Sequence, residues 1–565
     1  MSRVIDTCLC YVGLFVLALL LPRPATAAFP TDSTVNVPLC IATGDQKYPI
    51  IIQDNWGGSV VVWEDPRSDA GDVYAQRLSK AGVPQWPVNG VALCAATGQQ
   101  QWLHITSDDA GGTIVVWQDP RSGTMDVYAQ RISANGTPQW TANGVAICTA
   151  VGDQTFLAIA PDGTGGAIIT WADTRSGTND IYAQRISFDG VVQWTANGVP
   201  VCTAAGDQHY GEIVPDGAGG AIVAWEDSRS GPTQIFAQRI SSDGTPQWPA
   251  NGLALTTNSY NKNEPAIVSD GAGGAIVAWT DWGSSGVAPD IYAQRLSVNG
   301  TPQWPANGVP ICTAAGNQIY KTLVSDGMSG AILTWQDSRS GNNDIYAQRI
   351  SASGTCQWPA NGVALCAAAG DQLTPMIATD GAGGAIVSWE DHRNPTVDIY
   401  AQRISAAGAP QWTANGVGIC TAPGDQHSPT IASSREGGAV IAWSDQRGAS
   451  YDIYAQRVGA NGEIGPTVDD VSSGTPLSFA LDPMSPNPTC ASALRVHFTL
   501  PNSAAASLEL LDVAGRRIAA HDVGSLGAGM HTLDLAEGHR VTPGLYLVRL
   551  RQGASTRMTR VAVLK

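Results

Sequence analysis

The chain is poor in charge, and poorest in lysine. Only 14% of its 565 residues are Asp, Glu, Lys or Arg, and lysine occurs five times. Coiled coils and long helical repeats need far more Glu, Lys and Leu, so this composition excludes them. A basic excess is also missing. The formal charge is −17, which argues against a nucleic-acid binder, whose phosphate contacts need Lys and Arg. The one long apolar run, Leu9 to Leu21, has 13 residues, short of the roughly 20 that cross a bilayer as a helix. No G-x-S-x-G, H-E-x-x-H, P-loop or strand-borne G-x-G-x-x-G occurs, and the histidines have no metal-ligand spacing. Neither catalysis, nor a cofactor, nor a metal is therefore expected. What is abundant is glycine (63), proline (34) and a 43% hydrophobic fraction, a turn-rich chain with a packed interior rather than a disordered one.

Residues 1–27 read as an export signal: Arg3, the apolar run, then Ala25-Thr26-Ala27 as the small-x-small cleavage pattern. The mature chain is expected to be exported from the cytoplasm, without a membrane span.

A 54-residue period organises most of the mature chain. Y-A-Q-R starts at Tyr74, Tyr128, Tyr182, Tyr292, Tyr346, Tyr400 and Tyr454, with F-A-Q-R at Phe236; every spacing is 54 except one of 56. W-x-D starts at Trp63, Trp117, Trp171, Trp225, Trp279, Trp335, Trp389 and Trp443. One unit reads as four short strands, near Gln208–Pro215, Ala221–Trp225, Ile235–Ile240 and Gly252–Leu255, separated by Gly-, Asp- and Ser-rich turns. Eight such units predict an all-β protein whose residues 28–461 form an eight-bladed β-propeller of four-stranded blades. The last unit lacks its fourth strand, and Val37-Pro38-Leu39-Cys40 matches the missing piece, so the N-terminal strand is expected to close the ring and remove two sheet edges. A linear array of β modules is the alternative. Seven cysteines share one repeat position: Cys40, Cys94, Cys148, Cys202, Cys312, Cys366 and Cys420. They read as small buried residues, too far apart between blades for disulfides. Cys356 and Cys490 fall outside the pattern.

Residues 462–475 read as a linker and 476–565 as a small β-sandwich, with strands near Leu494–Leu500, Ala506–Asp512, His531–Leu535, Leu545–Arg551 and Arg557–Leu564. Ser485-Pro486-Asn487-Pro488, Val496-His497-Phe498-Thr499-Leu500-Pro501, Leu511-Asp512-Val513-Ala514-Gly515-Arg516, Gly529-Met530-His531, Gly544-Leu545-Tyr546 and the terminal Thr559–Lys565 stretch resemble the C-terminal sorting domain of type IX secretion cargo. That domain is close to the immunoglobulin-like domain of the flagellar hook-cap protein. The resemblance implies an immunoglobulin-like fold and export through an outer-membrane machinery that residues 476–565 engage, so that the protein is expected to be extracellular or on the outer-membrane surface of a diderm bacterium. More loosely, Ser241-Ser242-Asp243-Gly244-Thr245-Pro246-Gln247-Trp248 resembles the Asp-box turn of sialidase-type propellers, one residue out of register. This implies fold rather than activity.

A residue repeated in every blade is expected to build the blade, because an active site needs different groups converging on one point. Asp65 and its seven equivalents, and Arg77 and its seven, are read as charged pairs or hydrogen-bonded turns. Variable positions are more informative. Fifteen residues before each W-x-D tryptophan, at the head of the innermost strand, stand Tyr48, Trp102, Phe156, Tyr210, Glu264, Tyr320, Thr374 and Ser428. Five of the eight are aromatic, and such a ring could stack on sugars or apolar side chains at one mouth of the channel, or merely plug it. The fifth unit is irregular, with Thr256 for the cysteine, Ser259–Asn263 for G-D-Q, Gly283 for an arginine and Trp282 on a lengthened loop. The expected ligand set is Tyr48, Trp102, Phe156, Tyr210, Glu264, Tyr320 and Trp282. The reading is a surface protein binding a glycan, a peptide or another surface protein. The alternatives are a secreted glycan-active hydrolase or lyase, and a structural protein without a discrete ligand.

Overall fold

The computed structural model describes residues 29–466, except 69, 70, 284, 285, 287 and 435, and residues 479–564, except 482–488, 491–493, 501–503, 525–528, 536–540 and 554. The export signal, most of the linker and the Ser485–Pro488 motif lie outside the described residues. The chain divides into two compact units, Met1–Thr467 and Val468–Lys565. Among the described residues there is no α-helix, and no helix long and apolar enough to cross a membrane.

The first unit consists of repeated four-stranded antiparallel sheets, eight in number, the layout of a propeller. In sheet one, strand a is Lys47–Gln53, b is Ser59–Asp65, c is Asp72–Leu78 and d is Val91–Cys94. The other sheets repeat that order. In sheet four, strands a and c are Gln208–Pro215 and Gln234–Ile240, strand b extends two residues beyond the expected end to Asp227, and strand d shortens to Leu253–Ala254. Sheet eight takes its a, b and c strands from Gln426–Ser433, Ala439–Asp445 and Asp452–Val458, and its d strand from Val37–Cys40, which pairs antiparallel with strand c. Strand a of each sheet packs against strand a of the next, and strand a of sheet eight against that of sheet one.

Local chemistry explains the repeat. Strand b, such as Ala221–Asp227, is buried at every position, which is why it reads as an unbroken apolar run rather than an alternation. The turn before it is held by Asp216, whose Oδ1 accepts the backbone N–H groups of Ala218 and Gly220, each at 2.8 Å. Its Oδ2 accepts Arg239 Nε at 2.9 Å. A Cβ at Gly220 would sit 2.2 Å from the Ile240 carbonyl oxygen, so only glycine fits there.

The two repeated charge series do not pair with each other. Arg77 and its equivalents pair with the turn aspartates, as Arg77 does with Asp54; Arg457, in sheet eight, pairs with Glu436 instead. Asp65 is fully buried and held by three neighbours: Trp63 Nε1 donates at 2.9 Å, Arg67 Nε donates at 2.9 Å with Arg67 Nη2 completing a bidentate pair, and the Cys40 thiol donates at 3.6 Å. The Arg67 guanidinium also covers the Tyr74 ring at 3.8 Å and donates to Cys40 Sγ at 2.9 Å. The seven repeated cysteines are buried as expected, and their sulfurs serve as acceptors in this node.

Sheet five shows what the irregular unit means. Asp281 keeps the aspartate position, but Gly283 replaces the arginine. Lys262, buried where other sheets carry glutamine, brings its Nζ to 3.0 Å from Asp281 Oδ1. One cation is exchanged for another, and the exchange is incomplete: Trp279 Nε1 has no acceptor among the described residues, whereas the equivalent indoles donate to their aspartates.

The second unit holds two sheets around one core. Ala480–Leu481, Arg495–Leu500 and Gly529–Asp534 form one sheet; Thr489–Cys490, Ser555–Leu564, Gly544–Gln552, Ala506–Asp512 and Arg517–Asp522 form the other. Val496, Phe498, Leu508, Leu510, Val548 and Leu550 fill the space between them. Arg517–Asp522 escapes a pattern-based reading because it is an edge strand, charged at both ends and only weakly alternating.

Candidate functional site

The site begins with a backbone irregularity repeated in every first-unit sheet. The pairing of strands a and b slips by one residue, as between His209 and Glu212 and between Gln101 and His104, which marks a β-bulge. At each bulge one residue adopts left-handed geometry, with φ between 49 and 55°. These residues are Tyr48, Trp102, Phe156, Tyr210, Glu264, Tyr320, Thr374 and Ser428, the positions singled out by their variability. Left-handed geometry costs an L-residue roughly 1–2 kcal/mol, so eight non-glycine residues there are a standing expense that the surrounding structure must offset. Part of the offset is visible. The exposed N–H is accepted by the middle residue of W-x-D on the neighbouring sheet: Trp102 N by Glu64 Oε1 at 2.9 Å, Glu264 N by Glu226 Oε1 at 2.6 Å, Ser428 N by Glu390 Oε1 at 2.7 Å and Tyr48 N by Ser444 Oγ at 3.2 Å.

The bulge turns these side chains toward solvent. Trp102 is 65% exposed and Tyr48 58%, with Tyr320, Tyr210 and Phe156 also exposed, so the aromatic set is not packing between sheets. The structure brings Trp102, Phe156 and Tyr210 together around a cavity of about 570 Å³ that also takes in Gln101, His104, Gln118 and Glu212. The Phe156 and Tyr210 ring centroids are 4.3 Å apart. Tyr48 lines a separate, smaller cavity. Tyr320, Glu264 and Trp282 line neither. Trp282 is half-buried in the loop after strand b of sheet five, its N–H bonded to the Asn261 carbonyl at 3.1 Å.

Sequence reasoning missed the titratable groups beneath the aromatic layer. Two residues below each ring position stand Ile50, His104, Ala158, Glu212, Ala266, Thr322, Met376 and Thr430. Only two of them ionise, His104 and Glu212, and both line the cavity. Enclosure by protein drives both toward their neutral forms. Burial lowers the His104 imidazolium to about 4. Glu212 is exposed to solvent at the cavity wall, yet the protein mass around it pushes the carboxyl up toward about 7, with the attraction of Lys321 pulling the other way. At neutral pH the cavity therefore holds a neutral imidazole, which burial keeps from taking a proton, and a carboxyl still partly protonated. Lys321 is buried, donates to Thr280 Oγ1 at 3.0 Å and lies 3.8 Å from Glu264 Oε2. Burial lowers its ammonium to about 8, against the pull of Glu264, Glu226 and Glu212. The period-2 spacing below the ring position was the available signal for His104 and Glu212.

No protein-family model matches the chain, and no curated protein matches it in sequence. Among solved structures it is similar to an ulvan lyase of polysaccharide lyase family PL25, at 12% identity and a TM-score of 0.41 over 80% of this chain and 99% of that one. It is also similar to an α-L-arabinanase of Penicillium chrysogenum, at 10% identity and 0.32 over 76% and 98%. A third likeness is to an α-L-arabinofuranosidase of Fusarium graminearum, at 9% and 0.33 over 76% and 98%. At these identities the likeness concerns fold alone.

The expectation that no catalysis takes place is corrected by these findings. The three similar structures named above are enzymes. His104 and Glu212 stand on separate sheets, 108 residues apart in the chain, a distance no local signature spans.

Proposed function

We propose that the protein is a secreted propeller enzyme that hydrolyses a glycan at the Trp102–Phe156–Tyr210 cavity. The observation that carries this reading is the pairing of Glu212 and His104 in one cavity under exposed aromatic rings. The rings offer faces on which sugar C–H surfaces stack. Glu212, with its carboxyl raised to about 7, is suited to protonate a leaving glycosidic oxygen. His104, kept uncharged by burial, is suited to accept a hydrogen bond from an attacking water and orient it, the water's proton leaving to solvent. Hydrolysis is favoured over elimination because elimination acts on acidic sugars, which a chain of charge −17 repels.

The finer architecture belongs to the same proposal. The eight sheets form a closed, eight-bladed ring, supported by the pairing of Val37–Cys40 with sheet eight, and the second unit is immunoglobulin-like, supported by its two sheets and shared core. Export through an outer-membrane machinery engaging residues 476–565 is supported by the sequence motifs alone.

The test is release of reducing ends from a panel of neutral and acidic polysaccharides, with absorbance of unsaturated sugars followed in parallel. Reducing ends without unsaturation are expected, and Glu212→Gln is expected to lower kcat about 100-fold or more with little change in binding. Unsaturated products would replace hydrolysis by elimination. A Glu212→Gln variant as active as the parent would refute the assignment.

A further inference from the structure

The smaller cavity, about 270 Å³, lies where sheets seven, eight and one meet, and shares no residue with the Trp102–Phe156–Tyr210 cavity. Its walls are polar. His427 Nδ1 lies 3.2 Å from Glu390 Oε2, so the carboxylate fixes the ring and favours its protonation. Ser444 stands directly opposite His427 on the adjacent strand. Tyr451 closes one side, its ring 6.2 Å from that of His427 and 4.6 Å beneath Lys47 Nζ. The cavity thus offers a carboxylate that accepts, an ammonium that donates, a hydroxyl that does both, and two aromatic faces. Sugar hydroxyls, which donate and accept in close alternation around an apolar ring face, ask for this mixture.

Its position gives the cavity meaning. Tyr48 and Trp102 occupy the same bulge position on adjacent sheets, held by the same kind of hydrogen bond to the preceding sheet, so both rings leave the backbone in the same left-handed geometry. Tyr48 belongs to the smaller cavity and Trp102 to the larger one. One exposed ring of each cavity thus stands on adjacent sheets.

We infer that the smaller cavity is a remote sugar subsite, so that the substrate is an extended neutral glycan whose chain crosses Tyr48 and Trp102, with the bond cleaved away from the end held by His427 and Glu390. This inference rests on the glycan reading of the larger cavity.

The test uses β-1,3-gluco-, β-1,4-gluco- and α-1,5-arabino-oligosaccharides of two to eight residues, with affinity measured on the Glu212→Gln protein so that binding is read without turnover. Affinity should rise with chain length. His427→Ala and Tyr451→Ala should each weaken the longest bound oligosaccharide about tenfold and leave the shortest bound one unchanged. Equal loss at all lengths, or no loss at any length, overturns the subsite. Length-dependent binding lost in these variants, but without cleavage by the parent protein, refutes hydrolysis and leaves the subsite standing. Binding of none of the three series overturns both.

Discussion

Lys321 is a costly side chain for the fold to bury, and its cost can be measured. Its side chain is 1% exposed, and burial lowers its ammonium from 10.5 to about 8. A tenfold change in proton affinity is worth about 1.4 kcal/mol, so the charged form costs the folded state on the order of 3 kcal/mol at pH 7. The sign follows from proton counts. Between about 8 and 10.5 the unfolded chain holds a proton that the folded chain has released, so this lysine makes stability rise with pH across that window; below it the full cost remains. The groups around it do not repay the cost. Thr280 supplies one hydrogen bond, and Glu264, 3.8 Å away, is itself half exposed. Lys321→Met keeps the length and removes the charge. The variant is expected to be more stable than the parent at pH 7 by about 1–3 kcal/mol, with the advantage shrinking toward pH 10. Urea melts at pH 6, 7, 8.5 and 10 would show it. A variant less stable at pH 7, or a difference that does not change with pH, would refute the reasoning. Removing the lysine would also let the Glu212 carboxyl, which it holds down, rise further.

Two further outcomes separate folding from function. Trp102→Gly removes an exposed ring from a residue with φ of 55°, so stability should be unchanged or higher by up to about 1 kcal/mol while affinity for the bound glycan falls at least tenfold; thermal melts alongside titration calorimetry would check both. Lys262→Met strips the cation from a buried aspartate, so a loss of about 3–5 kcal/mol in a urea melt is expected, and a change below 1 kcal/mol would show that Asp281 is not held by Lys262.

The strands were legible because their chemistry repeats. Strand a of sheet four falls at Gln208–Pro215 as its turns imply, and the pairing of Val37–Cys40 with Asp452–Val458 follows from the incomplete last unit. Partnership among repeated charges was not legible: aspartates and arginines recur at several positions with one period, and only the fold shows Asp65 taking Arg67 while Arg77 goes to Asp54. The left-handed ring positions were hidden for another reason. Tyrosine, tryptophan and phenylalanine carry no hint of positive φ, which sequence reading assigns to glycine and asparagine. The aromatic residues were therefore found by their variability, and the geometry that presents them was not. His104 and Glu212 stayed hidden because they stand on separate sheets and only the fold brings them to one cavity.

The split last sheet bears on how the protein must be made. Val37–Cys40 leaves the ribosome before every other strand of its unit, yet its partner, Asp452–Val458, comes last. Until that partner is synthesised the early strand is an unsatisfied edge, open to pairing with other chains. The first unit can therefore mature only as a whole, and a chain cut short anywhere before Val458 carries its own defect at the opposite end.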